Sequence, residues 1–105
     1  MVNKDQLLAL LSRHIGEKNG ITAEQITLAL CTPKRHVRTL VSELRLEGVA
    51  VCGHPRDGYF IAGNPYELER TCAFLRSRAM HSLVLESKLR HVPLPDLLGQ
   101  LRLKT

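Results

Sequence analysis

The stretch Thr32–Gly48, "TPKRHVRTLVSELRLEG", decides the fold. Thr32 is a residue type that caps helices. Pro33 suits a first helical position, where its missing N–H costs nothing, and Gly48 suits the end. With Val37 at zero on a wheel of 100° per residue, Leu40, Val41 and Leu44 fall within about 60° of it. That stripe must face a core. The opposite arc holds Arg35, Arg38, Thr39 and Ser42, bordered by His36 and Glu43 on one side and by Lys34 and Arg45 on the other. A helix N-terminus carries partial positive charge, and acids there are favoured by about 0.3–1 kcal/mol each. This helix opens on Lys34, Arg35 and His36 instead. Cations in that place weaken the free helix and become useful when an anion stands in front of them.

Working outward, "ITAEQITLAL" (residues 21–30) predicts a short second helix, with Thr22 as N-cap and Gln25 placed to reach back. Asn3 and Gln6 repeat the device ahead of Leu7, Leu8, Leu11 and Ile15, and "GEKNG" closes that first helix. Downstream, "VAVCG", "HPRDG" and "YFIA" read as a β-hairpin over 49–62, two apolar runs flanking a Pro- and Gly-containing connection. Asn64, Pro65 and Glu67 open a long helix that runs to about Arg90. After "VPLP", a last helical turn or two is expected from Asp96. The fold class is mainly α with a small β-hairpin, in the order helix, helix, helix, hairpin, long helix, tail.

The chain has 105 residues, enough for a modest core without staples. Fifteen Lys and Arg against ten Asp and Glu give a net charge of +5, which favours an anionic partner such as nucleic acid. No apolar run approaches the ~20 residues of a membrane span, and the N-terminus has no small-residue cleavage site, so a cytoplasmic protein is expected. Cys31, Cys52 and Cys72 are widely spaced, with no CxxC pair, and are read as reduced structural thiols. His14, His36, His54, His81 and His91 share no metal-ligand spacing, and Cys52-Gly53-His54 is too isolated for a zinc site. There is no GxSxG, no phosphate-cradling glycine loop and no acidic pair placed for general acid–base work. The expectation is a protein with no enzymatic activity, no cofactor and no metal.

Two short helices joined by a tight turn, the second amphipathic as described, match a helix-turn-helix, whose second helix reads the major groove with its N-terminal residues. Guanidinium and hydroxyl groups are what reach base edges and phosphate oxygens there. Residues 21–62, "ITAEQITLALCTPKRHVRTLVSELRLEGVAVCGHPRDGYFIA", resemble the winged helix-turn-helix domains of small bacterial and phage regulators. Carrying the resemblance are the Thr that opens the second helix, the "R-x-[apolar]" run of the third, the "LRLEGVAV" exit and the Gly-Tyr that opens the second strand. It extends from about residue 4 to residue 62 and implies a double-stranded DNA-binding module over 1–63. Its third helix, 33–47, would enter the major groove and the hairpin would serve as wing. The contact set so implied is Thr32, Lys34, Arg35, His36, Arg38, Thr39, Ser42, Arg45 and, at the wing tip, Arg56. The wing is short, and Arg56 beside Asp57 either touches DNA or pairs with its neighbour. A protein-gripping adaptor, or an accessory domain for phage DNA replication or packaging, would share the same layout.

In the long helix, Leu68, Cys72, Leu75 and Ala79 line one stripe, expected to dock it on the preceding module. Phe74, Leu85 and Leu89 form a second stripe, with Met80 and Val84 on a third side. A helix apolar nearly all round is buried on more than one face. Residues 74–98 are therefore expected to pair with a second copy through Phe74, Met80, Val84, Leu85 and Leu89, giving a homodimer on a pseudo-palindromic site. The alternative is that "PLPDLLGQLRL" folds back over those faces within one chain.

Overall fold

Local capping chemistry sets where the first helices begin. In the computed structural model, which describes residues 2–54 and 58–101, α1 spans Lys4–Leu11 and α2 spans Ala23–Leu30. Each opens with a reciprocal capping box. The Gln6 N–H donates to Asn3 Oδ1 at 3.0 Å, and the Asn3 N–H donates to Gln6 Oε1 at 2.9 Å. Thr22 and Gln25 repeat the exchange at 3.1 and 2.9 Å. A single 3-10 turn, Glu17–Asn19, lies between the two helices. Cys31 ends α2 in the left-handed conformation (φ 51°, ψ 48°), and the Thr32 N–H bonds back to the Thr27 carbonyl at 3.3 Å. That tight turn launches α3, Lys34–Leu46.

Here the structure corrects one detail. Pro33, in extended conformation at ψ 153°, stands at the N-cap position, and no side chain caps α3. Thr32 lies outside the helix altogether and is buried. The expected stripe of α3 is fully inside: Val37, Leu40, Val41 and Leu44 are each no more than 3% exposed. They pack with Leu7 and Leu11 of α1, Ile26 of α2, Ile21 and Val51. Burying each such side chain contributes about 1.5–3 kcal/mol, so this cluster dominates the stability of the first three helices.

The hairpin is β1, Val51–His54, paired antiparallel with β2, Gly58–Ile61, in the register Val51↔Ile61 and Cys52↔Phe60. A two-stranded hairpin alone is marginal in water. This one has a third partner. Ile21 and Tyr59 exchange both backbone hydrogen bonds, at 2.8 and 2.7 Å, and Ile61 bonds to His14 and Gly16, each at 2.8 Å. Gly58 marks the point of closest approach: at φ +80° a Cβ there would stand 2.5 Å from the Ile21 carbonyl oxygen. Only glycine fits.

α4 runs from Pro65 to Arg90, 26 residues, close to its expected bounds. The Glu67 N–H donates to Asn64 Oδ1 at 2.9 Å, the expected cap. Glu67 does not complete a capping box. Its carboxylate instead accepts from the Glu17 N–H at 2.9 Å and the Gly63 N–H at 2.7 Å, bonds that hold it below its ordinary pKa. Arg70 pairs with Glu17 at 2.8 Å, and the Gly53 N–H donates to Thr71 Oγ1 at 3.4 Å. Polar groups of the first two turns therefore anchor α4. The stripe of Leu68, Cys72, Leu75 and Ala79, expected to dock it, is exposed at all four positions.

The chain divides into two compact units, 1–71 and 72–105, with the boundary inside α4. In the second unit Ser87 and Leu97 are buried, and Met80, Leu83, Val84, Val92 and Leu94 are half-buried. α4 ends at His91, left-handed at φ 55°. The Val92 N–H bonds to the Ser87 carbonyl at 3.0 Å and the His91 N–H to the Lys88 carbonyl at 3.2 Å, a Schellman closure. α5, Leu94–Gln100, begins two residues before the expected Asp96, because Pro95 falls in its first turn, where a missing N–H is tolerated.

Candidate nucleic-acid interface

The arc of α3 opposite its buried stripe is open. Arg35, Arg38, Thr39 and Ser42 are all exposed, at the i, i+3, i+4, i+7 spacing that lines up one helix face. Seven steps of 1.5 Å make this face about 10 Å long, and a helix about 10–12 Å across with its side chains fits a major groove ~12 Å wide. Neither the Arg35 nor the Arg38 guanidinium has an ion pair or hydrogen-bond partner among the described residues. Thr39 Oγ1 donates to the Arg35 carbonyl at 3.2 Å, which leaves its lone pairs as acceptors. The first turn of α3 contains no acid, so the helix dipole and the two guanidiniums add at the same end.

The remaining residues of the expected contact set are held by the fold in different ways. Lys34 Nζ pairs with Glu24 Oε1 of α2 at 2.9 Å, a contact that lowers the Glu24 pKa. Both partners are exposed, and such pairs contribute about 0–1 kcal/mol, so Lys34 can exchange Glu24 for a stronger anion. His36 is turned inward: its Nε2 bonds to the Val2 carbonyl at 2.7 Å, tying the N-terminal segment to α3. Arg45 is half-buried, with Nε donating to the Val51 carbonyl at 2.8 Å, so this guanidinium joins the helix to β1. Thr32 is only 5% exposed, which removes it as a contact. Arg56 lies outside the described residues.

Two features escaped the sequence reading. Glu24 sits ten residues from Lys34 on another helix, and no periodicity within α3 could have shown it. Leu46 was legible: it continues the open arc one turn beyond Ser42 and is 89% exposed. An apolar side chain there has the chemistry to meet a thymine methyl group.

Among the described residues, no three His, Cys, Asp or Glu side chains gather as a metal ion would require, and no helix is long and apolar enough to cross a membrane. No family model, curated protein or solved structure matches the chain.

Proposed function

We propose that this chain is a sequence-specific double-stranded DNA-binding module of the winged helix-turn-helix kind, working as a small transcriptional regulator. α3 is the element that enters the major groove. The observation that carries the reading is the pair of guanidiniums, Arg35 and Arg38, that have no partner among the described residues and lie on the arc opposite four buried side chains. The buried stripe fixes the orientation of α3 on its own unit, so the cations are presented without a reorganisation of the fold. Thr39 and Ser42 add hydroxyls, and Lys34 adds a phosphate contact once it leaves Glu24. The clamp between β2 and Ile21 stiffens the hairpin, which flanks the groove as a wing.

Fluorescence anisotropy of a labelled duplex, measured across a range of salt, tests the reading. Affinity should fall with salt with a log–log slope of about −0.9 per phosphate neutralised. Arg35→Ala or Arg38→Ala should each cost about 1–3 kcal/mol where the residue reads a base, and relax the preference at that position. A salt-independent signal, or unchanged binding by the double variant, ends the proposal. Selection from a random duplex library would then supply the site.

A further inference from the structure

In the second unit one apolar face of α4 is exposed. Phe74, Leu75, Leu85 and Leu89 are exposed by 39, 41, 52 and 82%. On a helical wheel they fall within about 100° of one another, on the side away from Ser87, the one buried residue of α4. Met80 and Val84, which the sequence also suggested for pairing, are half-buried within the chain and do not belong to this face. We infer that a second copy of the chain covers the stripe, the two α4 helices running antiparallel about a two-fold axis. The inference stands apart from the proposed DNA binding and does not require it.

Area is the first argument. The four side chains together expose ~400 Å² of apolar surface, within the ~300–600 Å² of the largest patch on a typical monomer, a patch that is often functional. Non-obligate interfaces are somewhat over half apolar, so this face implies ~700 Å² buried per partner, close to the ~800 Å² of a standard stable interface. Pattern is the second argument. Apolar residues stand at both ends of the stripe, Phe74 and Leu75 at one and Leu85 and Leu89 at the other, with the polar Arg78 and Ser82 between them. Antiparallel pairing lays the Phe74–Leu75 end of one copy against the Leu85–Leu89 end of the other. It also offsets each Arg78 from its equivalent, whereas parallel pairing would set the two guanidiniums side by side at the same level. Like charges at such a contact are disfavoured. The Arg78 guanidinium already lies 5.9 Å from the Phe74 ring centroid, with its charge over an aromatic face that an apolar contact can enclose.

Sedimentation equilibrium of the full chain tests this directly. The wild type should weigh two chains at tens of micromolar and dissociate on dilution. Leu89→Arg should weigh one chain, and because Leu89 is 82% exposed its circular dichroism should match the wild type. Direction is read separately in a Cys31→Ser/Cys72→Ser background, by mixing Leu75→Cys and Leu85→Cys chains under oxidation. Antiparallel pairing yields mainly the mixed disulfide. A wild type that stays at one chain's mass, a Leu89→Arg variant that remains a dimer, or predominantly like-with-like disulfides would each overturn the inference. None of these measurements contains DNA, so failure here leaves the proposed binding by α3 standing.

Discussion

α3 and α4 are both rich in Leu and Arg, yet they solve the problem of burial differently. In α3, 13 residues separate cleanly into a stripe no more than 3% exposed and an arc of open cations. In α4, 26 residues bury only Ser87, and four large apolar side chains of its second unit remain in water. The first helix is completed by its own chain. The second is held there by the polar groups of its first two turns and leaves an apolar face exposed. An apolar period therefore marks a face, while the surrounding sequence decides whether the chain itself covers it.

The sharpest way to break that contrast is a pair of truncations. Leu44→Ala removes a fully buried side chain from the cluster around α3 and should cost about 2–5 kcal/mol of unfolding free energy. Because its neighbours lie within one chain, the loss should be the same at every protein concentration. Leu89→Ala should differ in kind. At concentrations where two copies pair it should lower stability, and on dilution the difference from wild type should shrink to within about 0.5 kcal/mol, the range of an exposed substitution. Urea unfolding at two protein concentrations separates the cases. A concentration-independent loss at Leu89 would place its partner inside the chain and remove the contrast.

Gly58 tests how far the first unit depends on its hairpin. Gly58→Ala would press a Cβ to within 2.5 Å of the Ile21 carbonyl in a left-handed backbone, and should cost about 2–3 kcal/mol. Gly48→Ala is the control. Its φ is also positive, at +87°, but nothing lies within 4 Å of the Cβ position, so only the conformational penalty of about 1 kcal/mol should appear. Equal losses at the two sites, read by thermal unfolding, would show that the clamp on Ile21 gives way readily.

Much of this architecture was readable from local rules. Both capping boxes, the core face of α3, the hairpin and the bounds of α4 follow from spacing and residue type within a few positions. What escaped was long-range. His36 reaches Val2 across 34 positions, and Glu67 reaches Glu17 across 50. A wheel drawn for one helix treats every polar residue on its outer side as equally available. The fold does not: it engages His36 and Arg45, buries Thr32, pairs Lys34 and leaves Arg35 and Arg38 open. Glu67 sat where a capping-box acid belongs, and two backbone N–H groups outside that motif drew its carboxylate away.

One more feature unites the two helical regions, and it carries the smallest expected effect. α2 and α4 each end on a non-glycine residue in the left-handed conformation, Cys31 at φ 51° and His91 at φ 55°. An L-residue held there is disfavoured by about 1–2 kcal/mol relative to the right-handed conformation. Glycine removes that penalty but adds freedom to the unfolded chain, so Cys31→Gly should stabilise by about 0.5–1 kcal/mol. Among the described residues the thiol makes one weak contact, 3.9 Å to the Leu28 carbonyl, too little to offset the gain. The turn keeps its geometry, so the angle between α2 and α3 and the affinity for duplex DNA should not change. Differential scanning calorimetry beside the anisotropy titration reads both. A lowered melting temperature would mean that the thiol holds this turn, and a weakened affinity would mean that the turn's stiffness is what presents Arg35 and Arg38.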